Sequence, residues 1–148
     1  MNQKKPAVVI VDNRRRVAPR IEDLAGVRVL EADLTDADAT RRAFAGLWPR
    51  NVFHLAAIPS VPRSIHEPIP SHEVNIDGTF NVFHAAALGK VRRVVYAASS
   101  SAYGDTPTLP KREDMAPNPR SPYALQKLVA EQYCQLFTQL YGFETVTI

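Results

Sequence analysis

Residues 91–105 read Val-Arg-Arg-Val-Val-Tyr-Ala-Ala-Ser-Ser-Ser-Ala-Tyr-Gly-Asp, and their pattern decides the fold. Val91 to Ala98 is a short, largely apolar run rich in β-branched residues, which predicts a buried strand that ends in Ser99-Ser100-Ser101. On both sides of it the chain alternates strand-like and helix-like segments, which implies a parallel sheet with crossover helices. Upstream, strands are expected at Ala7 to Val11, closed by Asp12, at Val27 to Glu31, and at Asn51 to Leu55. A weak helix is expected from Ala18 to Ala25, stopped by Gly26. Thr35 is expected to cap a helix running to Leu47, with Asp38 three residues on as its capping partner. Pro59, Pro62, Pro68 and Pro70 predict a long loop without regular helix. A long helix is expected from Ser71 to Leu88, with Gly89 as its stop. Downstream, Gly104 to Ser121 reads as a proline-rich surface loop. Pro122 suits the first turn of a last helix that continues to Leu140 before Gly142, and a strand begins at Phe143.

The 148 residues suffice for one domain with a sizeable core, taken as residues 1–148, and not comfortably for two. With 45% hydrophobic and 22% charged residues the composition is that of an ordinary globular chain. The longest apolar runs are far too short to span a bilayer, so no membrane role is expected. The segment before Asp12 lacks the features of a secretory signal, and the single cysteine, Cys134, suits a reducing compartment; a cytoplasmic location follows as an expectation. Net charge is +3, with arginines clustered at 14–16, 41–42 and 92–93. No aromatic residues interleave with them, so they read as solvated surface and nucleic acid is not expected as a partner. His54, His66, His72 and His84 show no metal-ligand spacing, and no metal site is expected.

Ligand sites in open parallel sheets lie outside the carboxyl ends of the strands. Asp12, Asp33, Ala56-Ala57 and Ser99 to Ser101 all fall at that edge. Just beyond, Ser121 to Lys127 reads Ser-Pro-Tyr-Ala-Leu-Gln-Lys, placing Tyr123 and Lys127 four apart on one face of a helix. A nearby ammonium favours the phenolate form of a phenol. A phenol so tuned can take the proton of a sugar hydroxyl as hydride leaves the same carbon. Alone, the pair also fits the surface of an amphipathic helix; strand-end serines, a proline-rich loop and Tyr-x-x-x-Lys in that order are more specific.

The run RVVYAASSSAYGD (93–105) followed by SPYALQK (121–127) resembles the catalytic segment of UDP-glucose and UDP-N-acetylglucosamine 4-epimerases. These are NAD-dependent members of the epimerase/dehydratase family, within the extended short-chain dehydrogenase/reductases. EADLTD (31–36), FHLAA (53–57) and VNIDGT (74–79) match further family signatures in the correct order. SVPRS (60–64) resembles the branch that acts on N-acetylated UDP-hexoses. The resemblance implies a Rossmann-like sheet, NAD as cofactor, a UDP-sugar as substrate and a homodimer for the full-length family. By position it makes Tyr123 the acid/base, and Lys127 the residue that binds the nicotinamide ribose and tunes Tyr123. Ser99 takes the place of the catalytic hydroxyl, with Ser60, Ser100 and Ser101 as substrate contacts. Asp12 and Asn13 would meet the adenosine ribose, Asp33 and Leu34 the adenine, Ala56 and Ala57 the middle of the cofactor, and Asn75 its nicotinamide side. Plain alternatives stand beside these: Asp12 as a strand-end cap, Asp33 as a turn cap, Asn75 as a polar helix residue.

The chain departs from the family at its ends. No glycine-rich pyrophosphate turn precedes Asp12, since the first glycine is Gly26. The first strand here matches the family's second, so the central strand of the 3-2-1-4-5-6 order and its loop are expected to be lacking. That predicts a sheet in two halves with unpaired facing edges. The C-terminal substrate subdomain is expected to be lacking as well. Three other functions compete: a non-catalytic truncated fragment, a nucleotide-binding regulator, and a nucleotide-sugar 4,6-dehydratase. The last would need an acid and a base where Ser100 and Ser101 stand.

Overall fold

A computed structural model describes residues 8–12, 26–107 and 109–148 of the chain. Among the described residues, five short parallel strands form two sheets. In the first, β1 (Val8–Asp12) pairs in parallel with β2 (Val27–Glu31). In the second, β4 (Arg93–Tyr96) lies between β3 (Asn51–His54) and β5 (Glu144–Thr147), again in parallel. Among the described residues no hydrogen-bonded ladder joins β1 to β3, so the strands fall into two sheets, divided at the place the sequence predicts. The predicted helix at 18–25 lies outside the described residues.

From β2 onward, helices fill the crossovers. After β2, α1 (Ala37–Leu47) is capped by Asp36, whose Oδ1 accepts the Ala39 N–H at 2.9 Å. Thr35 is therefore not the cap; its N–H and hydroxyl both donate to Asp33 Oδ1, at 3.0 and 2.8 Å, in the turn before the helix. The proline-rich stretch is also not a plain loop. It holds α2 (Val61–His66) and α3 (Pro68–His72), each with proline in its first turn, where the missing N–H breaks no helical bond. The expected long helix begins earlier, at α3, and widens into one π-helical turn at Glu73–Gly78 before α4 (Thr79–Leu88). Beyond β4, a 3₁₀ turn spans Ser100–Tyr103, and α5 (Pro122–Tyr141) leads to β5 through Gly142, which adopts φ +73°.

The core lies between one face of the β3–β4–β5 sheet and the helices α4 and α5. Val94 and Tyr96 of β4 meet Phe83, Ala86, Ala130, Cys134 and Phe137 there, and α1 adds Phe44 by packing on α4. The opposite face is open: Phe53, Val95 and Val146 stand in register across the sheet, with Phe53 69% and Val146 42% exposed. Parallel sheets usually bury both faces.

Candidate active site

The carboxyl end of β4 and the start of α5 are fastened together by specific bonds. Ser121 caps α5 by accepting the Ala124 N–H at 3.1 Å, and Pro122 opens the first turn. The next free N–H, of Tyr123, donates to the buried hydroxyl of Ser64 on α2 at 3.1 Å. That hydroxyl in turn donates to the Val61 carbonyl at 2.7 Å, so α2 holds the backbone that carries the phenol.

One turn later, Lys127 is 4% exposed and runs inward. Its ammonium donates to the Ala97 carbonyl at 2.8 Å and lies 4.8 Å from the centre of the Tyr96 ring. Burial lowers its pKa from 10.5 to about 8, so the amine remains mostly charged at neutral pH. Ala97 is two residues before Ser99, which ties the lysine to the strand end where the serines begin. Ser99 caps the 3₁₀ turn; its hydroxyl shares a 2.8 Å hydrogen bond with that of Ser101 and accepts the Ser101 N–H at 3.3 Å. Ser100 is exposed. The turn closes on Gly104 at φ +61°, where a Cβ would overlap the Asn118 carbonyl oxygen. Asn118 also donates its N–H to the Ala102 carbonyl at 2.8 Å, fixing the following loop against the serine turn.

The loop after β3 is held by a buried amide network. Asn75, on the π-helical turn, accepts the Ile58 N–H at 2.8 Å and donates to the Ile58 carbonyl at 3.3 Å. Its Nδ2 also donates to Gln126 Oε1 at 2.8 Å, and Ser71 donates to the same oxygen at 2.9 Å. Gln126 thus links α5 to the π turn, and through Asn75 to the loop containing Ala56 and Ala57. Of those two, Ala56 is exposed and Ala57 half-buried. Ser60 caps α2 by accepting the Arg63 N–H at 3.2 Å. Beneath the loop, His54 Nε2 meets the Thr79 hydroxyl at 2.9 Å and its ring stacks on Tyr96. Burial, then the Lys127 charge, lowers the His54 pKa to about 4, leaving it neutral.

The expected residues therefore fall into three groups. Ser99, Ser100, Ser101, Tyr123 and Lys127 gather at the end of β4; Ala56, Ala57, Ser60 and Asn75 gather at the end of β3. Asp33 and Leu34 follow β2 in the other sheet, where the Leu34 carbonyl accepts from Asn81 of α4 at 2.9 Å. Asp12 ends β1 opposite Glu31, and the rest of it, with Asn13, lies outside the described residues. Asn75 turns its amide entirely into the protein and is 1% exposed. Sequence reasoning missed Ser64, Ser71, Tyr96 and Gln126. Only Gln126 left a signal, as a polar residue three positions from Tyr123 on a helix that packs into the core.

Parallel strands, crossover helices and chemistry-bearing residues at the strand ends define a Rossmann-like α/β protein. The profile of the NAD dependent epimerase/dehydratase family matches residues 1–148, and the chain belongs to that family. A UDP-glucose 4-epimerase of Mycolicibacterium smegmatis is 42% identical over 116 residues, covering 78% of this chain and 37% of the relative. The crystal structure of the Thermus thermophilus UDP-glucose 4-epimerase in complex with NAD superposes with a TM-score of 0.86 at 32% identity, covering 94% of this chain and 45% of that one. The UDP-N-acetylglucosamine 4-epimerase of Methanobrevibacter ruminantium, in complex with UDP-N-acetylmuramic acid, gives 0.82 at 33% identity with the same coverage. The chain thus spans less than half the length of these relatives.

Proposed function

We propose that this chain carries the catalytic segment of a nucleotide-sugar 4-epimerase, which inverts C4 of a UDP-hexose with NAD as cofactor, in the cytoplasm. The observation that carries the reading is the buried Lys127 ammonium, bonded to Ala97 at the strand end where Ser99 begins, with Tyr123 one helical turn before it. The donor set suits a nicotinamide ribose, whose hydroxyls match an ammonium and a phenol. Asp33 and Leu34, with Asp12 and Asn13, are assigned to the adenosine end, and Ala56 and Ala57 to the cofactor's middle. Asn75, expected at the nicotinamide side, instead turns its amide inward and holds the loop that carries those alanines. When bound, NAD supplies a reversible acceptor for the hydride of the sugar carbon.

This chain's residues move the proton. Tyr123 takes it from the C4 hydroxyl and returns it to the same oxygen, so the cycle leaves no net proton change. The Lys127 charge stabilises the negative charge that develops on the phenol oxygen. Ser99 hydrogen-bonds the reacting oxygen, and Ser60, Ser100 and Ser101 contact the sugar. Ser100 and Ser101 supply no acid and base for dehydration, which favours epimerisation. The SVPRS segment favours an N-acetylated hexose as the substrate.

A second reading is ligand binding without turnover, and the division of the sheet between β1 and β3 favours it. Incubating the purified chain with NAD and UDP-glucose or UDP-N-acetylglucosamine, and following the C4 epimer by chromatography, separates the two. Turnover that Tyr123→Phe abolishes supports epimerisation. Saturable NAD binding with no epimer formed supports the second reading.

A further inference from the structure

The charge of Lys127 is held in an unusual way. A buried cation normally has a carboxylate partner, yet among the described residues no carboxylate lies within ion-pair distance of its ammonium. Two things face it instead: the Ala97 carbonyl at 2.8 Å, and the ring of Tyr96, whose centre lies 4.8 Å away. The negative face of an aromatic ring attracts a cation within about 6 Å, and most strongly where water is excluded. Water is excluded here, because Tyr96 is 1% and Lys127 4% exposed.

The ring itself is packed by two aromatic neighbours. The ring of His54, at the end of β3, stacks on it at 5.8 Å, and Phe83 of α4 meets it edge-on at 6.0 Å. The Tyr96 hydroxyl, by contrast, is buried and has no hydrogen-bond partner among the described residues. Burial, followed by the nearby Cys134, Tyr123 and Glu131 groups, pushes its pKa up, so the ring stays a neutral phenol. An orphaned hydroxyl costs stability, which points to the ring face as the part of this side chain that interacts.

We propose that Tyr96 is a positioning residue: its ring face, together with the Ala97 carbonyl, holds the Lys127 ammonium at the end of β4 in place of an acidic partner. The proposal deepens the epimerase reading, on which the use of the lysine rests. A neutral partner of this kind holds the cation without cancelling it. A carboxylate would neutralise the charge that Tyr123 needs, whereas a ring and a carbonyl leave the full positive charge and part of its donor capacity for a bound ligand.

The test replaces position 96 with phenylalanine, then with phenylalanines carrying one to five ring fluorines, and reads the Lys127 side-chain amine by nitrogen-detected NMR titration in the full chain. Fluorination weakens the negative face of the ring while changing its volume little. Tyr96→Phe removes only the orphaned hydroxyl and is expected to leave the Lys127 titration in place. Across the fluorinated series the titration is expected to fall stepwise, by about one pH unit in total. A Lys127 titration that is constant across the series overturns the proposal, as does a full shift already present in Tyr96→Phe. NAD titrated into the wild-type chain reads the function separately. Failure to bind would remove the epimerase reading while the amine titration still decides the role of Tyr96.

Discussion

Replacing Lys127 by methionine is expected to stabilise the protein at neutral pH and to remove its ligand binding. The lysine titrates at about 8 in the folded chain, against 10.5 for an ordinary lysine, because burial strips water from the ammonium. That gap corresponds to about 3 kcal/mol of folding free energy. The folded pKa lies below the unfolded one, so between pH 8 and 10.5 the unfolded chain binds more protons and stability rises with pH. Below pH 8 the whole burial cost is present. Methionine fills nearly the same space without charge, but leaves the Ala97 carbonyl without its donor, a loss of about 1 kcal/mol. The net expectation is a gain of about 2 kcal/mol at pH 7 that shrinks as pH rises and becomes a loss of about 1 kcal/mol near pH 10.5. Urea unfolding of both proteins across pH 6.5 to 10.5 reads this directly, and taking the difference cancels the titration of groups that the Lys127 charge does not reach. His54, which it does reach, titrates below this range in the fold. A difference that does not change with pH, or a wild type more stable than the variant at pH 7, would refute the reasoning.

Three further outcomes are expected. Gln126→Leu leaves the Asn75 amide and the Ser71 hydroxyl without their shared acceptor. It should cost about 2–4 kcal/mol in urea unfolding and speed amide exchange at Ile58. His54 is neutral in the fold with a pKa of about 4 against 6.5, so its contribution is complete above pH 6.5 and lost as pH falls towards 4. About 3 kcal/mol should disappear over that window, with a flatter profile in His54→Gln, whose amide still serves Thr79. Gly104→Ala forces a Cβ into the Asn118 carbonyl at a left-handed φ of +61°. A loss above about 2 kcal/mol is expected, seen as a lower thermal midpoint.

The strands and α5 were legible because their signals are local. A β-branched run such as Val91 to Val95, a proline at the first helical position and a glycine after the last turn each act within a few residues. The division into two sheets was legible too, because the first strand-like run, Val8–Asp12, matches the family's second strand and pairs with the next one, Val27–Glu31. Features that depend on distant partners were not legible. Gln126 acquires its role only when α5 lies against Asn75, 51 residues away. Tyr96 acquires its role only when Lys127 folds over it. The helices α2 and α3 were hidden by an over-strict reading of proline, which disrupts helix interiors and is tolerated in first turns. The π-helical turn at Glu73–Gly78 adds a residue to a helical repeat, which a period of 3.6 does not reveal. Asp36 outcompetes Thr35 as the cap because Thr35 is already committed to Asp33.

The central claim is that the end of β4 and the start of α5 form half of a nicotinamide nucleotide site. Calorimetric titration of NAD into the wild-type chain and into Lys127→Met tests it most directly. The variant is expected to be the more stable protein at neutral pH, so a loss of binding there reports on the site and not on folding. The account predicts saturable binding to the wild type and none to the variant. Equal binding to both, or no binding to a wild-type chain that unfolds cooperatively, would contradict it.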